Sequence, residues 1–431
     1  MQKLFRFLVI VIVIACFGGA LAYQLPPVKE RINWRVEKLR ADMKYALNPP
    51  QKMVFVPEKS PTADVGATLQ ALAQLMPTPS PTPGPIDPPP ITATPSPTPT
   101  MAPSPTPIPE KALLAGIKHE YQMWNNCGPA NLAMALSFWG WQGDQRSPAA
   151  FVKPNARDKN VMPWELQAYV QAETAYRSLI RVGGDLELVK AFVAAGFPVL
   201  IEKGFEGPGF DGWMGHYQVI NGYHDPSRRF TVQDSYKGAN ITLPYEDVLR
   251  NWRAFNYIYL IIYPPERELE VYAILGPQAD EGANYQHAAQ LALAETAALS
   301  GRDLFFAWFN RGTNLVYLKD YAGAATAYDA AFAHYPSIPE NERPWRMMWY
   351  QTGPYFAYYY SQRYQDVINL ATTTLEAASE KVLEESFYWR GRAKLALGDN
   401  DGAIQDFRLS LKAHPDFQPA LEQLQFLGIQ P

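Results

Sequence analysis

The chain has 431 residues, 47% of them hydrophobic and 19% charged, enough for two compact domains joined by linkers. A formal charge of −4 gives no basic field for nucleic acid, so no nucleic-acid partner is expected. The six histidines show no Cys-x-x-Cys or His-Glu-x-x-His spacing and no nucleotide-binding glycine fingerprint is present, so no metal or other cofactor is expected.

In chain order, the segments are 1–24, 25–76, 77–110, 111–265, 266–284 and 285–431. Phe7 to Tyr23 is almost wholly apolar and follows Lys3 and Arg6, the form of a secretory signal or an N-terminal signal anchor. Ala20-Leu21-Ala22 suits signal-peptidase cleavage. An uncleaved transmembrane helix is favoured, with the rest of the chain outside the cytoplasm; cleavage would make the protein secreted. Residues 25–76 hold one amphipathic helix, Lys29 to Tyr45. Residues 77–110 are Pro/Thr/Ser repeats such as Thr-Pro-Ser-Pro-Thr-Pro. These cannot build a core, so a disordered, extended stalk is expected, with a reach on the order of 100 Å.

Residues 111–265 hold the chemistry. Cys127 stands in Gln122-Met-Trp-Asn-Asn-Cys-Gly-Pro-Ala and is one of two cysteines; the other, Cys16, lies in the N-terminal apolar run. Pro129 fits a first helical turn, and Leu132, Ala135, Leu136 and Trp139 recur at helical spacing until Gly140 can end the helix. A thiol at a helix N-terminus faces unpaired amides and the positive end of the dipole, which favour the thiolate. The competing reading is a buried structural cysteine. Further on, Gly215-His-Tyr-Gln-Val-Ile-Asn-Gly-Tyr223 reads as a strand, the segment from His224 to Arg229 as a turn, and Phe230 to Ser235 as the partner strand. That hairpin brings His216 and Asp234 onto neighbouring strands, and a one-residue register change would turn one of them away. Cysteine nucleophiles use a base and a third group that orients the base, roles that Cys127, His216 and Asp234 supply. His119 is an alternative base that flanks the cleft, whereas His224 suits turn capping. Trp124, Trp213 and Tyr217 either line a cleft or belong to the core. Flanking helices are expected at Pro163 to Glu173, Asp185 to Ala195 and Tyr245 to Trp252, and strands at Phe197 to Lys203 and Tyr257 to Tyr263.

These motifs resemble the bacteriocin-processing cysteine peptidases of the papain-like clan. The resemblance implies an α+β papain-like domain in which Cys127 is the nucleophile, His216 the general base and acid, and Asp234 the orienting residue. It also implies that Gln122 donates its amide, beside the Cys127 N–H, to an oxyanion. Gln122 stands five positions before Cys127, one fewer than is common in the family.

Residues 285–431 repeat themselves. Trp308, Gly312, Tyr321, Ala324, Tyr328, Ala331 and Pro336 resemble a tetratricopeptide repeat, and Gly391, Gly398, Ala403, Phe407 and Pro415 give a second copy. Trp349 to Leu375 is a looser copy between them, with Ala288 to Leu299 and Pro419 to Leu427 as flanking caps. An all-α tetratricopeptide-repeat solenoid is therefore expected, docking a protein partner on a concave face or bracing the catalytic domain. The combined expectation is a membrane-tethered cysteine peptidase acting on a peptide or protein substrate. A binding-only adaptor, or an amide hydrolase or acyl transferase using the same triad, are the alternatives.

Overall fold

The computed structural model describes residues 23, 25–47, 54–58, 108–153, 160–206, 212–378 and 380–430. The expected signal anchor at 1–24, apart from Tyr23, and most of the proline-rich linker at 77–110 lie outside them. Among the described residues no helix is long and apolar enough to cross a membrane. The helix expected at Lys29 to Tyr45 is α1, Pro26–Leu47.

A seven-stranded antiparallel sheet organises the next part of the chain. Its strands are β1 (Lys111–Leu113), β2 (Arg177–Arg181), β3 (Val199–Phe205), β4 (Met214–His224), β5 (Arg229–Asp234), β6 (Gly238–Pro244) and β7 (Tyr259–Tyr263). The main order is β2-β7-β3-β4-β5-β6, and β1 pairs with the C-terminal end of β4. The central strands β3 and β7 are buried along their whole length, so both faces must be covered. One face takes α2 (Cys127–Phe138), α3 (Arg146–Val152) and α4 (Pro163–Glu173), whose Leu132, Leu136, Val152 and Leu166 pack with Leu200, Tyr217, Val219 and Ile262. The other takes α5 (Leu186–Ala194), α6 (Tyr245–Arg253) and α7 (Glu268–Leu275), whose Phe192, Val248, Trp252 and Leu275 pack with Ile201, Ile220, Val232 and Ile261. The alternation along β3 and β4 divides the strands between the two cores.

The helical region follows as α8 (Glu281–Ala298), α9 (Gly301–Tyr317), α10 (Tyr321–His334), α11 (Met347–Tyr350), α12 (Gly353–Tyr360), α13 (Tyr364–Ala377), α14 (Glu384–Ala396), α15 (Asn400–Ala413) and α16 (Gln418–Phe426). Three helix pairs match the repeats: α9–α10, α12–α13 and α14–α15. A Cβ on Gly312 would stand 2.7 Å from the Tyr328 ring, and one on Gly391 2.8 Å from Phe407, so glycine permits the close approach within the first and third pairs. The middle pair begins at Gly353, later than expected. Trp349 falls instead in α11, within a connection that buries Met347 and Met348 in the same apolar cluster as Phe305 and Phe306 and sets Tyr350 against Gly215 of β4.

The two regions share one core. Trp213, Ala254 and Phe255 lie in the same apolar cluster as Phe305, Phe306, Phe309 and Met347. Polar contacts close the joint: Asn256 and Asn314 exchange hydrogen bonds at 2.6 and 3.0 Å, Arg346 donates to the Trp213 carbonyl at 2.9 Å, and Arg253 pairs with Glu295 and Asp303.

Candidate active site

The loop ahead of Cys127 is built around one buried side chain. Gln145 Oε1 accepts from the Met123 N–H and from Asn126 Nδ2, both at 2.8 Å, while its Nε2 donates to the Tyr121 carbonyl at 2.8 Å. Lys153 donates to the Asn125 carbonyl at 2.9 Å, and Asn125 takes a left-handed φ of 50°. Asn126 is the N-cap of α2, but its amide is committed to Gln145 and gives the helix no side-chain cap. The first-turn amides therefore keep their positive potential at Cys127. Gly140, at φ 90°, follows the C-cap and ends the helix as expected.

The register of the hairpin decides the rest. Val219 pairs with Gln233, which places Gln218 opposite Asp234, and His216 lies two residues further along the same face. His216 Nε2 donates to Asp234 Oδ1 at 3.1 Å. Asp234 is fully buried; its Oδ1 also accepts from the Tyr236 and Lys237 N–H groups at 2.8 Å, and its Oδ2 from Gln218 Nε2. With Nε2 turned to the carboxylate, Nδ1 is the ring nitrogen left for the half-buried Cys127, whose thiol contacts His216.

The charges of these groups support one another. Burial pushes the Cys127 thiol up, but the His216 hydrogen bond and charge, the Tyr217 N–H and Lys153 bring it below its ordinary value. For His216, burial opposes the charged form, yet the Asp234 carboxylate and the bonds to Asp234 and Cys127 raise its pKa to about 9. Burial alone would lift Asp234, but His216 and the donors around it hold it well below the carboxylate range.

Gln122 reaches the same end of the fold. Its N–H donates to the Ser235 carbonyl and its Oε1 accepts from the Ser235 hydroxyl, both at 2.8 Å. Asn131 Nδ2 bridges Ser235 Oγ at 2.8 Å and the Cys127 carbonyl at 2.9 Å. The four expected site residues are thus joined in one hydrogen-bonded neighbourhood. His119 instead bonds the Asp234 carbonyl at 3.1 Å, and His224 Nδ1 accepts from the Ser227 N–H, capping its turn. Trp213 and Tyr217 are core residues, whereas Trp124 stays half-buried at the rim. There it meets Trp34 of α1, edge-on at 6.1 Å; Trp34 also lies 6.4 Å from Tyr236.

Several neighbours carry no signature in the sequence. Glu202 is buried near Cys127, and burial lifts its carboxyl well above the ordinary range. Lys203 is pushed down by burial, to about 8, against the pull of Asp234. Tyr350 of α11 lies over Gly215, with a ring carbon 2.9 Å from where a Cβ would stand.

A cysteine on a helix N-terminus, facing a histidine and a carboxylate held by an antiparallel sheet, defines the class of papain-like cysteine peptidases. Within it, residues 114–260 match the family model described as Peptidase_C39 like family, and residues 385–416 match one described as Tetratricopeptide repeat. This part of the chain is a C39-like cysteine peptidase domain, followed by a helical region with a tetratricopeptide repeat. No curated protein matches the chain. Similar solved structures include a C39-like peptidase from Bacillus anthracis, 17% identical, covering 35% of this chain and 96% of that one with a TM-score of 0.30. A double glycine motif protease from an AMS/PCAT transporter, in complex with the leader peptide, is 20% identical over 36% of this chain and 94% of that one, TM-score 0.28. Xylellain, a cysteine protease from Xylella fastidiosa, is 14% identical over 36% and 87%, TM-score 0.28.

Proposed function

We propose that the protein hydrolyses peptide bonds through Cys127, His216 and Asp234, and that it does so outside the cytoplasm, tethered by its N-terminal apolar segment. The observation that carries the chemistry is the continuous contact from the Cys127 thiol through His216 to the buried Asp234 carboxylate. The Cys127 thiolate attacks the scissile carbonyl carbon, and the electron pair moves onto the oxygen. The Cys127 N–H and the Gln122 Nε2 amide stabilise that oxyanion, Gln122 being aimed by Ser235 at its Oε1. His216 Nδ1 gives its proton to the leaving amine as the C–N bond breaks, leaving a thioester. Water then loses a proton to His216 and attacks the thioester, and the C–S bond breaks to return the thiolate.

The charge pattern at Lys3 and Arg6 followed by Phe7 to Tyr23 supports the tether. The helical repeats serve recruitment of a protein substrate or partner, besides covering one side of the catalytic domain. The test is an active-site thiol probe on the full chain with a fluorogenic peptide library. Rapid labelling of Cys127 and peptide turnover that Cys127→Ala abolishes are expected. Labelling no faster than in the denatured chain at neutral pH would overturn the proposal.

A further inference from the structure

The helical array already holds a short segment of its own chain that is neither helix nor strand. Residues 54–58 run as Val-Phe-Val-Pro-Glu against α10, α12 and α13. Phe55 is 6% exposed, with its ring 5.0 Å edge-on from Phe332 and 6.1 Å from Tyr358. Pro57 is buried beside it, while Val56 and Glu58 face outward.

The backbone is gripped as well as the ring. The Glu58 N–H donates to Asp366 Oδ1 at 2.8 Å, and Asn369 Nδ2 reaches Glu58 Oε1 at 3.3 Å. Asp366 is 3% exposed, and its Oδ2 is taken by Arg363 Nε at 2.7 Å. Arg363 is itself fixed by two bonds to Asp329, at 2.7 and 2.9 Å, and Asp329 accepts from the Tyr358 hydroxyl at 3.0 Å. Among the described residues, Asp366 Oδ1 accepts only from Glu58. The array thus holds an aromatic notch beside a buried carboxylate oxygen that requires a main-chain donor from outside the helices.

We propose that this groove is a peptide-binding site for extended segments of the pattern aromatic, any residue, proline, acidic residue. Residues 54–58 fill it in the free protein, and a protein partner presenting such a segment exchanges with them. The contacts suit exchange: one ring, one proline and one main-chain hydrogen bond give modest intrinsic affinity, and covalent attachment raises the occupant's effective concentration. A partner competes by local concentration or by contacts beyond these positions. The inference rests on the proposal that the repeats recruit a protein, and its failure would leave hydrolysis at Cys127 untouched.

The test measures binding alone, by fluorescence anisotropy with a fluorescein-labelled Val-Phe-Val-Pro-Glu peptide and the full chain carrying Cys127→Ala to exclude cleavage. Adding Phe55→Ala, which weakens the resident segment, is expected to tighten binding at least ~10-fold, and the peptide with alanine for its phenylalanine is expected not to bind. Equal affinity with and without Phe55→Ala, or no binding to a Phe55→Ala chain that keeps its cooperative melt, would overturn the proposal. If Phe55→Ala does not fold, Glu58→Pro removes the N–H donor instead. The same gain is expected from it, and its absence overturns the proposal equally.

Discussion

At the scale of single residues, Cys127 and His216 each favour the charged form of the other. His216, raised to about 9, stays protonated across neutral pH, and against the effect of burial its hydrogen bond and charge bring the Cys127 thiol below its ordinary value. The sign follows from linkage: the raised histidine contributes stability fully below its ordinary value of 6.5 and loses it as pH rises through about 9. Hydrolysis of a short peptide should therefore fall on the alkaline side near that value, as His216 loses the proton the leaving amine takes. Burial works against that charge and the Asp234 carboxylate sustains it, so Asp234→Asn should move the alkaline limb of the pH–rate profile downward. A limb that stays in place would separate Asp234 from the base. Gln122→Ala should lower kcat by ~10²-fold with iodoacetamide labelling of Cys127 unchanged, because in the proposed mechanism the amide serves the oxyanion and His216 makes the thiolate. Cys127 and His216 were legible because each is a rare residue type in a patterned stretch, and Asp234 because it lies on the strand that pairs with the one carrying His216. Gln218, Ser235, Asn131 and Gln145 were not, since their roles arise only when the hairpin register and the loop before Cys127 close hydrogen bonds across the fold.

Among the elements, those with strong periodicity were readable and the short ones were not. The helix at Pro163–Glu173 falls where its pattern places it, and β4 and β5 form the expected hairpin. The strands Arg177–Arg181 and Gly238–Pro244, and the helices Arg146–Val152 and Glu268–Leu275, are too short or too mixed in pattern to declare themselves. Gly215 shows how one element constrains another. A Cβ there would lie 2.8 Å from Phe255 Cζ and 2.9 Å from Tyr350 Cε1. Gly215→Ala should therefore displace the end of β4 that carries His216, costing about 1–3 kcal/mol in a chemical melt and lowering turnover. Helix α1 offers the opposite change. Its Trp34 lies against Trp124, three residues before Cys127, and Tyr236, two after Asp234, and its Lys44 pairs with Glu380. An aromatic contact worth about 1 kcal/mol corresponds to roughly a fivefold equilibrium. Trp34→Ala should raise kcat/KM for short peptides by about that factor, chiefly through KM. An unchanged kcat/KM would place the rim contact outside the substrate's path.

For the molecule as a whole, two regions that read as separate in sequence fold as one body. Composition and repeat spacing separate a catalytic domain from a helical array, but no local pattern announces that Trp213 and Phe255 of the first are buried against Phe305, Phe306 and Met347 of the second. Such a contact joins residues far apart in the chain, and each is an ordinary apolar residue in its own window. The energetic consequence is large. Removing residues 285–431 would uncover Trp213 and Phe255, forfeiting roughly 3–6 kcal/mol, which is comparable with the net stability of a domain. It would also strip Arg253 of Glu295 and Asp303, and leave the buried Asn256 without Asn314. The Trp213 carbonyl, one residue before β4 begins, would lose Arg346. The truncated chain should accordingly lose its cooperative thermal transition together with cleavage of both a short fluorogenic peptide and a folded protein. Peptide cleavage retained by a cooperatively melting truncation, with protein cleavage alone weakened, would show that the array only recruits and that the shared core is dispensable for holding His216 against Cys127.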